Sequence, residues 1–445
     1  MQNARILMPL FLKAAILICI VLASACAKDR SDIRYDYAKE TRPASPYPDA
    51  SFAVISDTHI YDPSLGSSGA AFERAVDSDR KLLLNSIDLM DYAAKAVINS
   101  GVRFVLVSGD LTKDGELINH RLMAKKLKRL TEAGVAVYVV PGNHDINNFD
   151  AVRYDGNETA PAQSVSAEDF AKIYGDFGFN AALMRDDNSL SYVAEPVKGL
   201  WLLCIDSCRY RENTPEKEIV SGKISRKTAD WIATALLSAA DQNKAVIALM
   251  HHGVAEHWKG QARLHPDYLI NGYTAFGKFL ASRNVRLVFT GHYHAQDITL
   301  AESGDKFIYD IETGSLVTAP CPIRYIKIKD NVTQIRTETI ADKIYPGTDF
   351  AENAQTFVKK NVMLETIRIL KKYKVSDKDA AYLADAVGDA FTAHYKGDEN
   401  PNARPLFDVS KLGLWGRFIY SRQKYILDGL WADLPPADNN VSLGL

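Results

Sequence analysis

The sequence predicts an α/β fold followed by a small helical region, and two observations support this prediction. First, short β-branched and apolar segments alternate with amphipathic helical patterns between residues 50 and 290, with short connections between them. Second, amphipathic helical patterns dominate beyond Tyr345-Pro346-Gly347. We therefore place one domain at residues 50–345 and a helical C-terminal domain at residues 346–445.

The first 25 residues have the features of an export signal. Arg5 and Lys13 flank an apolar run over residues 14–22, which is too short to span a bilayer comfortably. The run ends at Ala23-Ser24-Ala25, a cleavage pattern that would release a soluble secreted protein. The same residues before Cys26 resemble a bacterial lipobox, in which the cysteine is acylated. We expect the lipid anchor, because Cys26 has no other evident use, and hence a location in the envelope or periplasm. Residues 26–49 are then a polar tether.

Composition and charge argue against two classes of protein. A hydrophobic content of 47% and a charged content of 24% are ordinary for a globular chain of 445 residues. The net charge of −2 argues against a broadly basic nucleic-acid-binding face, and we expect no stable nucleic-acid complex. Cys204, Cys208 and Cys321 are too few for a disulfide framework, so we interpret them as small buried hydrophobic residues.

The first half of the chain predicts a parallel sheet. A short apolar strand at residues 51–56 is followed by a polar, Gly- and Ser-rich loop. The helix predicted at residues 79–100 carries Leu82, Leu83, Ile87, Met90 and Ala94 on one stripe, and Gly101 closes it. The strand at residues 135–140 is apolar enough to be buried on both faces, as in a sheet covered by helices.

The remaining elements follow in order. The predicted strands cover residues 51–56, 102–107, 135–140, 189–195, 200–205, 244–250, 285–290, 298–301, 306–312, 323–329 and 332–339. The predicted helices cover residues 79–100, 116–133, 167–174, 225–240, 267–282, 349–373, 377–395 and 416–431. Residues 146–187 interrupt the alternation and are predicted to overhang the strand ends. No helix separates the last four strands, so we expect them to be antiparallel.

Five of these apolar strands end in side chains that can bind metals. The strand ends carry Asp57-x-His59, Gly109-Asp110, Gly142-Asn143-His144-Asp145, His251 and Gly291-His292-x-His294. Each fragment alone is more often a turn or a polar pair than a metal site. Metal-competent side chains recur at successive strand ends. This recurrence favours one shared site, because ligands bind at the carboxyl edge of open α/β sheets.

The chemistry of these residues indicates two metal ions. Carboxylate and imidazole groups suit divalent or trivalent first-row metals such as Fe, Mn or Zn, whose identity the pattern does not select. Asp57 and His59 are two residues apart in extended chain and so point the same way. Asp110 has two oxygens and can bridge two ions, while Asn143 adds an uncharged oxygen ligand.

The chain resembles the calcineurin-like metallophosphoesterases over roughly residues 50–340. The resemblance rests on the motifs D-x-H, G-D, G-N-H-[D/E], H and G-H-x-H, which occur here in this order. The resemblance implies a four-layer α/β/β/α metallophosphoesterase sandwich with a binuclear metal centre between the sheet ends. It implies that Asp57, His59 and His294 hold one metal, that Asn143, His251 and His292 hold the other, and that Asp110 bridges them. We take His251 rather than His252 because it comes first off the strand.

The resemblance also implies a reaction. A metal-activated hydroxide would attack a small phosphoester, and His144 would donate a proton or a hydrogen bond to the leaving oxygen. Asp145 would either orient His144 or be a surface turn residue. The whole chain, including residues 393–399 of the tail, is similar to secreted or lipid-anchored bacterial proteins of the cyclic-nucleotide-phosphodiesterase-like group.

We therefore predict a phosphodiesterase that acts on small or cyclic nucleotides. One alternative is a broad-specificity phosphomonoesterase that uses the same site. Another is a non-catalytic surface lipoprotein that uses the fold for binding, against which the complete ligand set argues. The tail is interpreted as a packing domain, with a partial cover that limits substrate size as the alternative.

Overall fold

The computed structural model describes residues 33, 35 and 43–445. The predicted export signal, Cys26 and most of the predicted tether therefore lie outside the described residues. Within the described part of the chain, no helix is both long and apolar enough to cross a membrane. The predicted α/β class with a C-terminal helical region is confirmed, since the chain forms two large sheets with helices packed against them.

The elements have the following bounds. The strands are β1 Ala50–Ile55, β2 Phe104–Val107, β3 Ala136–Val139, β4 Val152–Asp155, β5 Glu158–Pro161, β6 Met184–Arg185, β7 Tyr192–Val197, β8 Leu200–Ile205, β9 Ala245–Met250, β10 Leu287–Thr290, β11 Asp297–Ser303, β12 Lys306–Glu312, β13 Pro322–Lys329, β14 Val332–Thr339 and β15 Asn440–Gly444. The helices are α1 Ala70–Asp77, α2 Ser86–Ser100, α3 Leu117–Glu132, α4 Ala167–Ile173, α5 Arg226–Asp241, α6 Gln261–Leu264, α7 Tyr273–Ser282, α8 Phe350–Lys372, α9 Asp377–His394 and α10 Leu414–Leu430.

The two large sheets share one design, in which parallel strands occupy the middle. The first sheet has the order β15-β14-β13-β1-β2-β3, and the second has the order β11-β12-β10-β9-β8-β7-β6. Strands β1, β2 and β3 are parallel to one another, as are β8, β9, β10 and β12. Their carboxyl ends therefore meet at one edge of each sheet, which is where the site lies.

The sheets pack face to face between helical layers. Phe52 of β1 stacks on Phe104 at 4.6 Å between ring centroids and meets the edge of Phe289, in the second sheet, at 5.3 Å. Strand β8 alternates between two cores: Leu202 faces the core between the sheets, and Leu203 faces the core formed with α5 and α7. This period of two gives the helix, sheet, sheet, helix layering.

Two local predictions are wrong. Strand β3 is an edge strand rather than a strand buried on both faces, since β2 is its partner on one side and Ala136 is exposed. Helix α2 begins at Ser86 rather than near residue 79, and the loop before it contains helix α1. The last four predicted strands pair in antiparallel register as expected, β11 with β12 and β13 with β14, while β12 also runs parallel to β10.

The C-terminal region packs closely on the sheets. Val358 of α8, Phe391 of α9 and Leu427 of α10 belong to the same hydrophobic core as the first sheet. Strand β15, which the sequence pattern does not reveal, pairs with β14 in antiparallel register at the sheet edge. The boundary at residue 345 stays a prediction.

Near the other end of the chain, the Tyr47 hydroxyl donates to Val246 O at 3.0 Å, so the last residues of the predicted tether contact the second sheet.

The cysteines follow the sequence interpretation in two of three cases. Cys204 and Cys321 are buried and free, whereas Cys208 is half-buried. Burial raises the pKa of all three thiols above the usual value, so they stay protonated and unreactive at neutral pH.

Candidate metal centre

The structure brings all seven predicted ligands to one place. Asp57 and His59 follow β1, Asp110 follows β2, Asn143 follows β3, His251 follows β9, and His292 and His294 follow β10. All seven side chains are buried, with residue exposures between 0% for Asp57 and 9% for His294. The convergence follows from the parallel strands of the two sheets, whose carboxyl ends face one another.

The first group of donors is Asp57, His59 and His294. The Nε2 atoms of His59 and His294 lie 3.3 Å apart, and Nε2 of His294 lies 3.5 Å from Oδ1 of Asp57. Two donors bound to one ion at about 2.1 Å lie roughly 3.0–3.4 Å apart at tetrahedral or octahedral angles. The spacing of this group therefore fits one cation.

The second group of donors surrounds Asp110. Oδ2 of Asp110 lies 3.4 Å from Nε2 of His251, which in turn lies 3.2 Å from Oδ1 of Asn143. Donor atoms of Asp110, His251 and His292 all lie within 4.8 Å of one another. The same Oδ2 lies 3.6 Å from Nε2 of His59 in the first group. Asp110 thus occupies the position that a bridging carboxylate requires.

The other ring nitrogen of each imidazole is held by a neighbouring group. Nδ1 of His251 donates to Ser108 O at 2.7 Å, and Nδ1 of His59 donates to Thr112 O at 3.2 Å. Nε2 of His292 donates to a backbone carbonyl at 3.3 Å, which leaves its Nδ1 for the centre. Such outer bonds fix the tautomer and aim the free nitrogen at the ion.

The backbone at this edge is strained. Five of the seven predicted ligands have positive φ angles: 48° at Asp57, 34° at His59, 48° at Asp110, 77° at His292 and 68° at His294. Non-glycine residues in this region cost about 1–3 kcal/mol each and cluster at functional sites. The packed sheets hold these residues in conformations that direct their side chains inward.

Gly142 allows the ends of strands β2 and β3 to lie close together. A Cβ atom at Gly142 would lie 2.0 Å from Oδ1 of Asp110 and 2.1 Å from its backbone nitrogen. No side chain fits there, so the glycine of the Gly-Asn-His-Asp motif is required for the bridging position of Asp110.

The protonation states of two of the imidazoles also suit cations. Burial lowers the pKa of His59 well below its usual value, and the positive charge of Lys81 adds to this effect. Burial likewise lowers the pKa of His292. Both imidazoles are therefore neutral at pH 7 and offer a lone pair. With carboxylate and amide oxygens and no thiolate, the donor set fits two divalent or trivalent first-row metals. The assignment of each residue as a ligand stays a prediction.

His144 lies where the two groups of donors meet, since one of its ring nitrogens lies within 4.8 Å of donor atoms of His59 and Asp110. Its Nδ1 lies 2.8 Å from Oδ1 of Asp114, while its Nε2 lies 3.9 Å from Oδ2 of Asp110 and 3.5 Å from Nζ of Lys81. Burial and Lys81 lower its pKa, but the carboxylates of Asp110, Glu218 and Asp114 outweigh them and raise it to about 10. His144 is therefore protonated at neutral pH.

Three of these neighbours were missed in the sequence. Lys81 lies in the loop before α2 that was predicted as helix, Asp114 lies four residues after Asp110 in a turn, and Glu218 comes from a loop after β8. Asp114 could have been suspected because it follows Gly109-Asp110 closely. Nothing in the periodicity points to Lys81 or Glu218.

Two neighbours of the predicted ligands have other roles. Both ring nitrogens of His252 are engaged, with Ser207 Oγ at 2.8 Å and Val220 O at 2.8 Å, so neither faces the centre. Asp145 is fully buried and accepts from Gly142 N at 2.8 Å and from Thr112 N at 3.0 Å. It therefore ties the loops after β2 and β3 together and is not a surface turn residue.

Comparison with known proteins agrees with this geometry. The family model of calcineurin-like phosphoesterases matches residues 50–296, which is more than half of the chain. An uncharacterized metallophosphoesterase, YhaO of Bacillus subtilis, is 26% identical over 159 residues, which cover 32% of this chain and 37% of that protein. The matched part thus spans about a third of that relative's length.

Two solved structures are similar at lower identity. A dimetal phosphatase from Danio rerio is 16% identical with a TM-score of 0.48, covering 66% of this chain and 96% of that one. Purple acid phosphatase PPD1 from yellow lupin (Lupinus luteus) is 12% identical with a TM-score of 0.43, covering 67% of this chain and 53% of that one. On the strength of the family match and the strand-end residues that it includes, the chain belongs to the calcineurin-like phosphoesterase family.

Proposed function

We propose that this phosphoester hydrolase cleaves phosphodiester bonds of small nucleotides, including cyclic ones. The family match supports hydrolysis of phosphoesters as the general reaction. The preference for diesters rests on one observation, the imidazole of His144 at the edge of the two donor groups, whose Nδ1 lies 2.8 Å from Oδ1 of Asp114. A diester expels an alkoxide, which is a poor leaving group unless it receives a proton.

The residues divide into two tasks. Asp57, His59 and His294 would hold one ion, Asn143, His251 and His292 the other, and Asp110 both. When bound, the two ions supply Lewis acidity and a nucleophile at neutral pH, and they neutralise the phosphoryl oxygens. His144 supplies the proton at its Nε2, because Nδ1 is committed to Asp114. Lys81 adds a positive charge beside His144, which favours a phosphate at this position.

The enclosure of the centre favours a small substrate. Only 22% of the His144 side chain and 10% of the His294 side chain are exposed, and the side chains of Asp57, His59 and His251 are fully buried. A substrate must therefore approach along the side of His144 and His294. A compact phosphoester fits this entrance better than a folded polymer does.

A substrate screen tests the proposal. The metal-free protein would be reloaded with Mn²⁺, Zn²⁺ or Fe²⁺ and assayed with bis-p-nitrophenyl phosphate, p-nitrophenyl phosphate, and 2′,3′- and 3′,5′-cyclic nucleotides. We expect turnover of diesters that exceeds that of the monoester. Turnover confined to p-nitrophenyl phosphate would instead support the phosphomonoesterase, and no turnover with any metal would support a binding protein. Asp110→Asn serves as the inactive control.

We also propose that the protein is exported and held at a membrane by lipid on Cys26. The support is the apolar run at residues 14–22 and the small residues before Cys26. Expression of the full chain and of Cys26→Ser, followed by membrane fractionation and mass spectrometry of the N-terminus, tests this proposal. We expect a lipid-modified Cys26 in the membrane fraction. An unmodified, soluble product from the wild-type chain would contradict the anchor.

A further inference from the structure

A second cluster of metal-competent side chains lies where the C-terminal helices meet the second sheet. Asp297 is the first residue of β11, His394 is the last residue of α9, and Glu399 lies in the turn that follows. Their exposures are 0%, 1% and 6%. One donor atom of each lies within 4.8 Å of the others, and Nδ1 of His394 lies 3.9 Å from Oδ2 of Asp297 and contacts Oε1 of Glu399. None of the three belongs to the dinuclear centre.

Buried polar atoms of this cluster lack partners. Among the residues that the structure describes, no hydrogen-bond partner is found for Oδ2 of Asp297, Nε2 of His394 or Oε2 of Glu399. Oδ1 of Asp433, on the segment after α10, is buried and without a partner as well. Buried polar atoms are normally paired, and one site with several orphaned atoms calls for an additional ligand.

Carboxylates surround the cluster, and the imidazole of His257 donates to one of them, Asp297, at 2.7 Å. The buried Arg324 does not neutralise these carboxylates through direct bonds, because its guanidinium donates to backbone carbonyls, including Asp297 O at 3.1 Å and Glu312 O at 2.6 Å. Several carboxylates in a small buried volume favour a cation.

We propose that Asp297, His394 and Glu399 bind a third divalent cation. One imidazole and two carboxylates suit a first-row ion of the Zn²⁺ or Mn²⁺ kind. His257 orients the first of these carboxylates, since its Nδ1 donates to Oδ1 of Asp297 at 2.7 Å and leaves Oδ2 free. A hydrogen-bonded pair of His394 and Glu399 without an ion would leave Oδ2 of Asp297 and Oε2 of Glu399 without partners.

The adjacent acidic pair provides a contrast. Oδ1 of Asp398 accepts from Asp438 N at 2.8 Å, and its Oδ2 accepts from Asn439 Nδ2 at 2.8 Å. Oδ1 of Asp438 accepts from Ile298 N at 2.8 Å. These carboxylates are satisfied within the protein, so Asp398 is a matched control that removes a nearby charge without removing a ligand.

The position of the site gives the ion a structural role. It joins the end of α9 to the start of β11, two elements that are far apart in sequence. The ring of His394 lies 5.6 Å from the ring of Tyr293, which stands between His292 and His294 of the dinuclear centre. The third ion therefore fixes the C-terminal helices against the segment that carries two predicted ligands.

Metal analysis of the whole chain tests this proposal. Metal-free protein would be loaded with Zn²⁺ and, in parallel, with Mn²⁺, desalted, and analysed by plasma mass spectrometry. With at least one of the two metals, we expect three ions per chain for the wild type and for Asp398→Asn, and two for Glu399→Gln and His394→Ala. Asp110→Asn should lose ions of the dinuclear centre and keep the third, so the two centres are distinguished without any activity assay.

Thermal unfolding supplies a second measurement in case a variant folds poorly. Zn²⁺ or Mn²⁺ should raise the Tm of Asp110→Asn, and this rise should be absent when Glu399→Gln is added to that variant. Circular dichroism at low temperature would show that the variants are folded. Two ions per wild-type chain with both metals, or three ions in Glu399→Gln, would overturn the proposal.

Discussion

Nδ1 of His144 lies 2.8 Å from Oδ1 of Asp114, and the two residues form a pair at the edge of the candidate metal centre. The carboxylate fixes the ring so that Nε2 faces the centre. Under the proposed function, this arrangement would separate the binding of metals by the strand-end residues from the delivery of a proton by the pair. The two functions can therefore be disrupted independently.

The loss of activity on replacing His144 should depend on the leaving group of the substrate. In His144→Asn, kcat for a diester with an alkyl leaving group should fall by about 10²–10⁴, the usual contribution of a general acid. Bis-p-nitrophenyl phosphate should be affected much less, because p-nitrophenolate leaves without a proton. Steady-state kinetics on both esters checks this, with metal content as the control. Equal losses on both esters would argue against proton donation.

Replacement of Asp114 should weaken the same step through His144. We expect Asp114→Asn to lower kcat on an alkyl ester by roughly 10–100-fold, because the ring loses its orienting carboxylate. The double variant with His144→Asn should be no slower than His144→Asn alone, since both act on one proton transfer. Additive losses in this double-mutant cycle would show that Asp114 acts elsewhere.

The parts of the site that the sequence predicted share one physical cause. Asp57, Asp110 and His292 each follow an apolar strand, and parallel strands bring their carboxyl ends together whatever the loops do. Lys81 and Glu218 reach the same place through irregular loops, whose paths depend on packing rather than on periodicity. Strand β15 escaped prediction for a related reason, because its sequence is short and polar and becomes a strand only by pairing with β14.

A methyl group at Gly142 should abolish the bridging position. In Gly142→Ala the new Cβ would overlap Asp110 Oδ1, so we expect loss of at least one metal ion of the dinuclear centre and of activity. Gly101→Ala is the control: its φ of 71° makes it a strained site of about 1 kcal/mol, but nothing lies within 4 Å of the added atom. Gly101→Ala should keep its metals and lose only stability. Retention of both ions by Gly142→Ala would contradict this account.

The buried His120 should make stability depend on pH. Burial lowers its pKa to about 4, although its hydrogen bond to Asp145 O opposes the shift, whereas in the unfolded chain the value is about 6.5. Below pH 6.5 the unfolded state binds more protons, so the free energy of unfolding falls as pH decreases toward 4. The pKa difference of about 2.5 corresponds to about 3 kcal/mol.

Urea unfolding of the wild type and of His120→Gln between pH 4 and pH 7 measures this contribution. The difference between the two proteins isolates His120, because every other titrating group is common to both. We expect the variant to lose less stability than the wild type on acidification. Parallel curves for the two proteins would show that His120 does not titrate across this range.

The position of β1 has a consequence for synthesis. Phe52 of β1 pairs with Phe104 of β2 on one side and with Ile326 of β13 on the other. Strand β1 is synthesised early, whereas its partner β13 is synthesised late. Until β13 is made, one row of its amide and carbonyl groups stays open, and closure over so long a loop is slow. Strand β1 can therefore complete both of its rows of hydrogen bonds only after residues 322–329 of β13 have been synthesised.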